Sequence, residues 1–505
     1  MSYKVNDGLG YVPNKYVDEN EFISMNMENT PLPEYDSIKD KIPQPFWENH
    51  KDTIDCYYKS WEIAFRNIRK PTLKNGFVSN YIDAAFNGDI FMWDSVFMLM
   101  FGKYGDRVFK FQHTLDNFYA KQHKDGFICR EIIEENGEDL FFRMDPVSTG
   151  PNILAWCEWE YYKIFFNKER IRKIFPVLLA YHLWLKEYRT WPDGSYWTSG
   201  WGCGMDNSTR LQKQYDVQYS HGHQIWVDAT IQQYLNINIL EKMARICNRE
   251  SDILILRDEK KMLYNIINNK LWDEETSFYY DCWKNNKLNG VKTVAAYWAL
   301  LGEVVPENRA ESFIGHLSNE NEFKRLHRVP TLSADDKSYV SVGGGYWRGG
   351  VWAPTNYMIL KGLEKYKKYD LAFEIAYNHI INITKVYNKT NTVWENYSPD
   401  TIDRGNQSRG DFVGWTGAST IAVLIENVLG ISSDCENNEL IWHINLTDEH
   451  GINLYPFGKD GVLNLKCDKR SSMVEEPHIT VKSNCDLRLK VFWKGGTKNI
   501  DVHAQ

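Results

Sequence analysis

The 505-residue chain contains no run of about 18 apolar residues, the length that a membrane-spanning helix needs. Its N-terminal segment has no basic stretch followed by an apolar one, which a secretory signal would require. Lysine and arginine are scattered along a chain of net charge -8, so they form no basic face for nucleic acid. These absences predict a soluble, cytoplasmic protein that binds neither membranes nor nucleic acids.

Sequence patterns for metal ions and cofactors are missing as well. The nine cysteines have no CxxC spacing and no histidine cluster beside them, so we expect reduced thiols and neither a zinc site nor a disulfide framework. The glycines of GGGYWRGG, residues 343–350, lack the spacing of a phosphate-binding loop. The acidic segment 333–336 is too short to supply a calcium loop. The sequence therefore predicts no cofactor and supports no metal site, and it leaves a bound calcium ion and the oligomeric state open.

Aromatic side chains are abundant: they make up 14% of the residues and include 19 Trp and 30 Tyr. Many of them are expected in the core. Rings with an apolar face and a polar edge also suit a pocket that stacks on sugar rings. The composition therefore permits a carbohydrate site without requiring one.

The hydrophobic pattern divides the chain into three parts. Residues 1–45 are rich in Pro, Asn and acidic residues and lack periodicity, which predicts an extended leader. Residues 46–432 repeat apolar positions every three or four residues in paired segments, which predicts helical hairpins joined by short and long loops. Residues 436–505 contain short alternating runs that predict a small, sandwich-like β domain. Hairpins stacked in a ring would gather the long loops on one face, where a site can form.

Five motifs in or beside the loops join tryptophan or tyrosine to a carboxylate or an arginine. They are FMWDSVF (91–97), DGFICREI (125–132), GMDNS (204–208), GGGYWRGGVWAPTNY (343–357) and VWENYSPDT (393–401). Glycoside hydrolysis uses residues of these types. One carboxyl group protonates the leaving oxygen, a second activates water or attacks carbon, and aromatic platforms surround them.

The two aspartates of these motifs also have a structural interpretation. Asp206 and Asp94 are placed where a residue capping the next helix could lie. The glycines at 200, 202 and 204 favour close approach of a ligand to Asp206, which a simple cap does not require. For Asp94 we expect a mixed role, in which the carboxylate caps a helix and binds a hydroxyl group.

The other charged candidates have structural alternatives of the same kind. Glu395 is an exposed loop carboxylate unless its Trp and Tyr neighbours desolvate it. Arg130 and Glu131 form an ordinary salt bridge in the simplest interpretation, and Arg348 forms a surface ion pair.

Taken together, the motifs resemble those of the six-hairpin inverting α-glycosidases. This group, similar to glycoside hydrolase family 63, includes processing α-glucosidase, mannosylglycerate hydrolase and trehalase-like enzymes. The resemblance covers about residues 75–430; its most specific segments are GYWRGGVWAPTNYMILKGL and GMDNS, followed by WENYSPDT and GFICRE, with MWD and GWTGA as short additions. It implies a mainly α fold, an (α/α)6 six-hairpin toroidal barrel, and hydrolysis of an α-glycosidic bond with inversion.

The resemblance also implies roles for single residues. Asp206 is matched to the general acid and Glu395 to the general base. The residues matched to the substrate site are Trp93, Asp94, Arg130, Glu131, Trp201, Asn207, Tyr346, Trp347, Arg348, Gly349, Trp352 and Trp415.

The chain departs from the family pattern in three respects. Thr209 and Gly350 stand where proline is common, so we expect these two loops to differ in detail. The sequence also lacks the large N-terminal β domain of some relatives. This resembles the compact members and favours short substrates, such as disaccharides or small glycosides of glucose or mannose.

Other functions remain compatible with the residues alone. A sugar epimerase or isomerase on a similar barrel would use histidines, for which His221 and His223 are the candidates. A polysaccharide lyase would act on uronic acids with tyrosine and histidine or arginine. A non-catalytic sugar-binding protein and a retaining glycosidase complete the alternatives.

Overall fold

The computed structural model describes residues 12–505, in which helices dominate up to residue 429 and strands from residue 431 onwards. The α-helices are α1 (Tyr35–Ile38), α2 (Lys51–Arg66), α3 (Met92–Gly102), α4 (Thr114–Ala120), α5 (Leu154–Phe165), α6 (Lys168–Tyr188), α7 (Val227–Cys247), α8 (Arg257–Lys270), α9 (Trp298–Leu301), α10 (Glu307–Gly315), α11 (Ala353–Lys365) and α12 (Tyr369–Thr390). Short 3₁₀ helices lie at Val17–Glu19, Glu21–Ser24, Phe111–His113, Glu250–Leu256, Val294–Tyr297 and His316–Ser318. A π-helix spans Ala418–Val428.

The strands form two four-stranded sheets and several two-stranded ones. The strands are β1 (Gln44–Trp47), β2 (Ile68–Arg69), β3 (Tyr81–Ile82), β4 (Asp89–Phe91), β5 (Glu131–Ile133), β6 (Gln224–Ile225), β7 (Trp272–Asp273), β8 (Phe278–Tyr279), β9 (Cys282–Trp283), β10 (Ile431–Asp434), β11 (Glu439–His443), β12 (His450–Phe457), β13 (Gly461–Cys467), β14 (Ile479–Ser483), β15 (Leu487–Trp493) and β16 (Gly496–Val502). The large sheets have the orders β1-β12-β13-β14 and β10-β11-β15-β16. The prediction of a helix-rich chain followed by a C-terminal sheet region is confirmed.

Short reversals join helices into hairpins, as the paired periodic segments predict. Phe166 ends α5 in the left-handed region (φ 51°), and the side chain of Asn167 then accepts a hydrogen bond from the backbone N–H of Arg170 to cap α6. Helices α7 and α12 also end at left-handed asparagines, Asn248 and Asn391. These caps reverse the chain within a few residues, so consecutive helices such as α5 and α6 pack together.

The helices differ in how much of their surface is buried. Every residue of α3 and of the π-helix is buried, whereas α8 and α12 bury one face and expose the other. A helix that is apolar all round needs other elements on every side, and an amphipathic helix lies at the surface. The chain therefore contains inner helices covered by outer, amphipathic ones.

The two four-stranded sheets combine the C-terminal strands with one strand from near the N-terminus. Strand β1 pairs antiparallel with β12, with Phe46 opposite Gly451. This strand spans the predicted boundary at residue 45, so the leader and the C-terminal region share a sheet. The predicted limits 1–45, 46–432 and 436–505 remain predictions, and residues 1–11 of the leader lie outside the described part.

Two further features bear on the sequence predictions. Within residues 12–505, no helix is both long and apolar enough to cross a bilayer. All nine cysteines are free thiols, and seven of them are buried.

Candidate active site

A cavity of about 260 Å³ lies at the N-terminal ends of α3, α5, α11 and the π-helix. Most of the predicted site residues line it: Trp93, Asp94, Arg130, Glu131, Trp201, Asp206, Tyr346, Trp347 and Trp415. Long loops before the inner helices supply much of this lining. The expectation that such loops would assemble a site on one face agrees with this position.

Asp206 lies in a loop without regular structure, since the next helix, α7, begins only at Val227. The capping interpretation of Asp206 is therefore wrong. Gly204 has φ +78°, and a Cβ atom there would lie 3.0 Å from the ring of Trp93, so glycine lets the loop pack flat against the indole. Burial raises the pKa of Asp206 to about 6, and the nearby charge of Arg130 opposes this shift.

The glycines at 200 and 202 have a different role from the one expected. A Cβ atom on Gly200 would lie 1.9 Å from the carbonyl oxygen of Val217, and one on Gly202 would lie 2.4 Å from Thr198 Oγ1. Both glycines are needed for contacts within the protein. Gly204 alone of the three lines the cavity.

Arg210 fixes the end of the Asp206 loop, a role that no motif in the sequence predicts. Its buried guanidinium donates to both carboxylate oxygens of Asp228 at 2.6 and 2.8 Å, and to both of Asp281 at 2.7 and 2.6 Å. Asp228 lies in the first turn of α7, so Arg210 ties the loop to an inner helix. The pattern GMDNSTR does not indicate these contacts of Arg210, because Asp228 and Asp281 are distant in sequence.

Glu395 is a buried carboxylate, only 1% exposed, so the interpretation as an exposed loop residue is wrong. The Tyr346 hydroxyl donates to its Oε1 at 3.0 Å, and the Arg409 backbone N–H donates to its Oε2 at 3.2 Å. The indole N–H of Trp415 donates to the Glu395 carbonyl oxygen at 2.7 Å. Burial raises the pKa of Glu395, and the bonds from Tyr346 and Arg409 oppose that shift.

Asn207, which the sequence predicts as a substrate-binding residue, does not line the cavity and connects the Asp206 loop to the loop of Tyr346. Its amide nitrogen donates to the carbonyl oxygen of Gly345 at 3.0 Å, and its amide oxygen accepts the backbone N–H of Trp347 at 2.9 Å. These two bonds hold both sides of Tyr346, the residue whose hydroxyl contacts Glu395. Asn207 therefore links the backbone next to Asp206 to the side chain that binds Glu395.

Tyr346 itself adopts an unusual backbone conformation, φ 67°, which a non-glycine residue rarely takes. Two hydrogen bonds hold its carbonyl oxygen in place, from the Trp352 indole N–H at 3.1 Å and the Gly350 backbone N–H at 3.1 Å. These hydrogen bonds therefore stabilise the strained backbone of Tyr346. Such strain is common where a side chain must be positioned for function.

Two more acidic residues, Asp94 and Glu131, line the cavity. Asp94 is buried in the first turn of α3, where it makes no cap, and burial raises its pKa well above the usual range. Glu131 lies 3.2 Å from Arg130, the predicted salt bridge. Burial also raises the pKa of Glu131 to about 7, with Arg130 opposing and Asp89 adding to the shift.

The aromatic wall has two layers. The rings of Trp347 and Trp352 stack with centroids 3.8 Å apart and planes 7° from parallel. Trp347 lines the cavity, whereas Trp352 lies behind it and does not. Arg348 and Gly349 do not line the cavity either: Arg348 donates to the Ser338 carbonyl oxygen at 3.2 Å, so the predicted surface ion pair is replaced by a backbone contact.

The cavity also has lining residues that the sequence analysis did not identify as site residues. They are Phe86, Asn87, Phe91, Gly150, Pro151, Gly204 and Gln218. Phe91 belongs to FMWDSVF, and Gly204 to GMDNS, so those motifs pointed to them. Phe86, Asn87 and Gln218 lie in loops without a distinctive pattern.

The two candidate histidines lie elsewhere. His221 and His223 pack around Trp191, and no histidine is among the described residues that line the cavity. Among residues 12–505, no group of three or more His, Cys, Asp or Glu side chains is arranged to hold a metal ion. The chemistry available in the cavity is that of carboxyl groups, aromatic rings and one guanidinium.

The sequence and the fold are both similar to known glycosidases. A probable mannosyl-oligosaccharide glucosidase of Schizosaccharomyces pombe is 25% identical over 51% of this chain, and the match spans 35% of that protein. A mannosylglycerate hydrolase of Thermus thermophilus is 24% identical over 54% of this chain and 81% of that protein. The crystal structure of a GH63 mannosylglycerate hydrolase from Thermus thermophilus in complex with glucose has a TM-score of 0.58 at 20% identity and covers 73% of this chain and 99% of that one, which shows a shared fold.

A family profile gives the assignment. It describes the mannosylglycerate hydrolase MGH1-like glycoside hydrolase domain and matches residues 89–416. The match covers more than half of the chain and includes every predicted site residue from Trp93 to Trp415. The resemblance stated from the motifs is confirmed, and the chain belongs to the family of MGH1-like glycoside hydrolase domains.

Proposed function

We propose that the chain hydrolyses an α-glycosidic bond of a short oligosaccharide or small glycoside with inversion, using Asp206 as general acid and Glu395 as general base. The supporting observation is that the carboxyl group of Asp206 lines the cavity, while that of Glu395 is buried in contact with the lining residue Tyr346 and accepts hydrogen bonds from the Tyr346 hydroxyl and the Arg409 backbone. Two carboxyl groups in different environments can divide the acid and base roles.

The environments suit the two roles. An acid must hold its proton at the working pH, and burial raises the pKa of Asp206 to about 6. A base must be anionic, and the Glu395 carboxylate accepts hydrogen bonds from the Tyr346 hydroxyl and the Arg409 backbone. Both bonds stabilise the anion, although burial also raises the pKa of Glu395.

In the proposed reaction, Asp206 gives its proton to the glycosidic oxygen as the bond from that oxygen to the anomeric carbon breaks. Glu395 takes a proton from a water molecule, whose oxygen forms the new bond on the opposite face of the sugar ring. Inverting enzymes place their carboxyl groups about 6.5–9.5 Å apart to admit this water. Trp93, Trp347 and Trp415 supply ring faces against which the sugar packs.

The proposed scaffold is an (α/α)6 six-hairpin barrel. Helices α3, α5, α7, α9, α11 and the π-helix would form its inner ring, with the amphipathic helices outside. The fully buried surfaces of α3 and the π-helix support this arrangement, as does the gathering of the cavity at helix N-termini.

The proposed substrates are α-glucosides and α-mannosides, the sugars named for the relatives. Ligand pockets commonly measure about 300–1,000 Å³, and this cavity of about 260 Å³ lies below that range. The size supports a short substrate in preference to a polymer.

The test is release of reducing sugar from a panel of α-linked glucosides and mannosides by the native chain, Asp206→Asn and Glu395→Gln. We expect one linkage to be hydrolysed and kcat to fall by about 10²–10⁴-fold in each variant, the usual worth of an acid or base. NMR of the first-formed anomer should show inversion. Undiminished activity in either variant, or retention, would refute the corresponding part of the proposal.

The same panel separates the alternatives. A lyase would leave this panel unchanged and would instead release a product with an unsaturated chromophore from a uronic-acid polysaccharide, and an epimerase would return an isomer without hydrolysis. A binding protein would retain sugars without converting them. His221 and His223 lie outside the cavity, so the histidine-based alternative has no support from the site.

A further inference from the structure

The charged groups around the cavity are predominantly acidic. Asp94, Glu131 and Asp206 line it, with Arg130 as the only cationic side chain among the described lining residues. Glu395 adds a fourth carboxyl group behind Tyr346. Burial without enough cations disfavours the ionised forms of Asp94 and Asp206, whose pKa values it raises, and it disfavours a ligand carboxylate placed among them for the same reason.

The guanidinium of Arg130 is already engaged. Its Nη1 lies 3.2 Å from the Glu131 carboxylate, and its Nε donates to the Val147 carbonyl oxygen at 2.6 Å. Its plane lies over the rings of Phe141 and Trp201, at 4.7 and 5.8 Å from their centroids. Arg130 lines the cavity, but the carboxylate of Glu131 compensates its charge, which weakens its attraction for a ligand anion.

Arg409, whose backbone N–H donates to Glu395, places its guanidinium against Phe86. Its guanidinium lies 3.8 Å from the ring centroid of Phe86, and its Nη1 donates to the Phe86 carbonyl oxygen at 2.9 Å. Phe86 lines the cavity whereas Arg409 does not. This cation therefore contacts a lining residue but does not itself line the cavity.

We infer that the substrate carries no negative charge, so that the cavity selects α-glycosides with an uncharged leaving group and discriminates against leaving groups that bear a carboxylate. This inference rests on the proposed function and narrows it. It separates the chain from the Thermus relative named mannosylglycerate hydrolase, since glycerate carries a carboxylate. Specificity of this kind arises from an unfavourable interaction with the wrong ligand.

The test uses pairs of substrates that differ only in that charge. The pairs are the α-D-glucosides and α-D-mannosides of glyceric acid and of its amide, glyceramide, which have the same number of heavy atoms. We expect kcat/KM for the amide to exceed that for the acid by about tenfold or more at neutral pH. Equal rates, or faster hydrolysis of the acid, would overturn the inference.

Two variants show whether the Arg130–Glu131 pair sets this preference. Glu131→Gln leaves Arg130 without its carboxylate partner. The kcat/KM for the amide should therefore exceed that for the acid by only about threefold or less. Glu134→Gln is the matched control: it removes a half-buried carboxyl group close in sequence that does not line the cavity, and the ratio should not change. An unchanged ratio in Glu131→Gln would contradict the assigned role of the pair.

Failure of the proposed function is distinguishable from failure of this inference. If no α-glucoside or α-mannoside of the panel is hydrolysed, the proposed function fails. Calorimetric binding of the same acid and amide pairs to the native chain still tests the charge selection. Tighter binding of the amide supports the inference, and tighter binding of the acid refutes it.

Discussion

Two groups of buried charges lie at opposite ends of the same helices. Helix α3 carries Asp94 in its first turn, at the cavity, and Lys103 directly follows its last residue. Lys103 Nζ lies 2.9 Å from Glu426 Oε1, near the end of the π-helix, and Lys361 Nζ of α11 lies 3.1 Å from Glu426 Oε2. The inner helices thus join the candidate active site at one end to a buried ionic network at the other.

The two groups differ in how their charges are compensated. In the network, Lys103 and Lys361 outweigh the effect of burial and lower the pKa of Glu426. At the cavity, burial prevails and raises the pKa of Asp94 and Asp206. Paired buried charges stay ionised and can fix helices together, whereas carboxyl groups short of cations are held ready to exchange a proton.

The largest effect is expected from replacing Glu426, the carboxylate that both lysines of the network share. Glu426→Gln leaves two buried lysines short of a partner, so we expect the free energy of unfolding to fall by about 3–5 kcal/mol. Denaturant unfolding measures this loss. The kcat/KM of the folded variant should stay within about twofold of the native value, because the network lies away from the cavity.

Glu364→Gln is the matched control, since Glu364 pairs with the same Lys361 at 2.5 Å but its side chain is 24% exposed. A partly exposed pair should contribute only about 0–1 kcal/mol. Equal losses in the two variants would contradict the distinction between buried and exposed partners.

A second prediction concerns Asn207, which links the Asp206 loop to the loop of Tyr346, the residue whose hydroxyl contacts Glu395. Asn207→Ala removes both hydrogen bonds that hold Tyr346, so the separation of Asp206 and Glu395 should vary more. We expect kcat to fall by about 10–100-fold with little change in KM, because misplacement by about 1 Å can cost about 10²-fold. Steady-state kinetics on the panel substrate measures the effect.

Thr209→Val serves as its control in the same loop. The Thr209 hydroxyl is buried and has no hydrogen-bond partner among the described residues, so its loss should leave kcat unchanged within about twofold. A rise in KM without a fall in kcat in Asn207→Ala would instead favour the substrate-binding role that the sequence predicted.

Local sequence patterns predicted much of this structure. The three-to-four residue periodicity gave helices such as α3, and alternation gave the strand β13 with its alternating burial. Glycine and aromatic neighbours singled out Asp206 and Glu395 as candidates, and the structure places Asp206 in the cavity lining and Glu395 in contact with Tyr346. In each case the physical signal lies within a few residues of the position it predicts.

Contacts between distant residues were not predictable in this way. The four bonds of Arg210 depend partly on Asp281, which is 71 residues away, and no local pattern marks either residue. The pairing of β1 with β12 and of Lys103 with Glu426 likewise depends on the folded topology. The contacts of Asn207 were not predictable for the same reason, because its partners lie in another loop.

A third prediction concerns the free energy of unfolding that is lost because Asp94 is buried without a compensating cation. The raised pKa of Asp94 means that the folded state holds this proton more tightly than the unfolded state does. Its contribution is therefore favourable at low pH and is lost as pH rises from the unfolded value, about 3.9, towards the folded one. Asp94→Asn should melt a few degrees higher than the native chain at pH 8 and show no such advantage at pH 4. Thermal unfolding at both pH values measures the difference, and an advantage that does not grow with pH would contradict the assignment.

The last prediction concerns the pH dependence of kcat/KM, whose shifts in variants are the smallest effects expected. It tests which acid of the cavity donates the proton. Because the general acid must be protonated, kcat/KM should fall as pH rises through the pKa of Asp206, about 6, by about tenfold per pH unit. Glu131, with a pKa of about 7, could give a similar limb of the profile. The variant Glu131→Gln distinguishes the two candidate donors. If Asp206 is the donor, kcat/KM of this variant should still fall with rising pH near pH 6; if Glu131 is the donor, that fall should disappear. Arg130→Met adds a directional check: loss of the cation that lowers the pKa of Asp206 should move the limb to higher pH, and a limb that stays in place would mean that another group titrates.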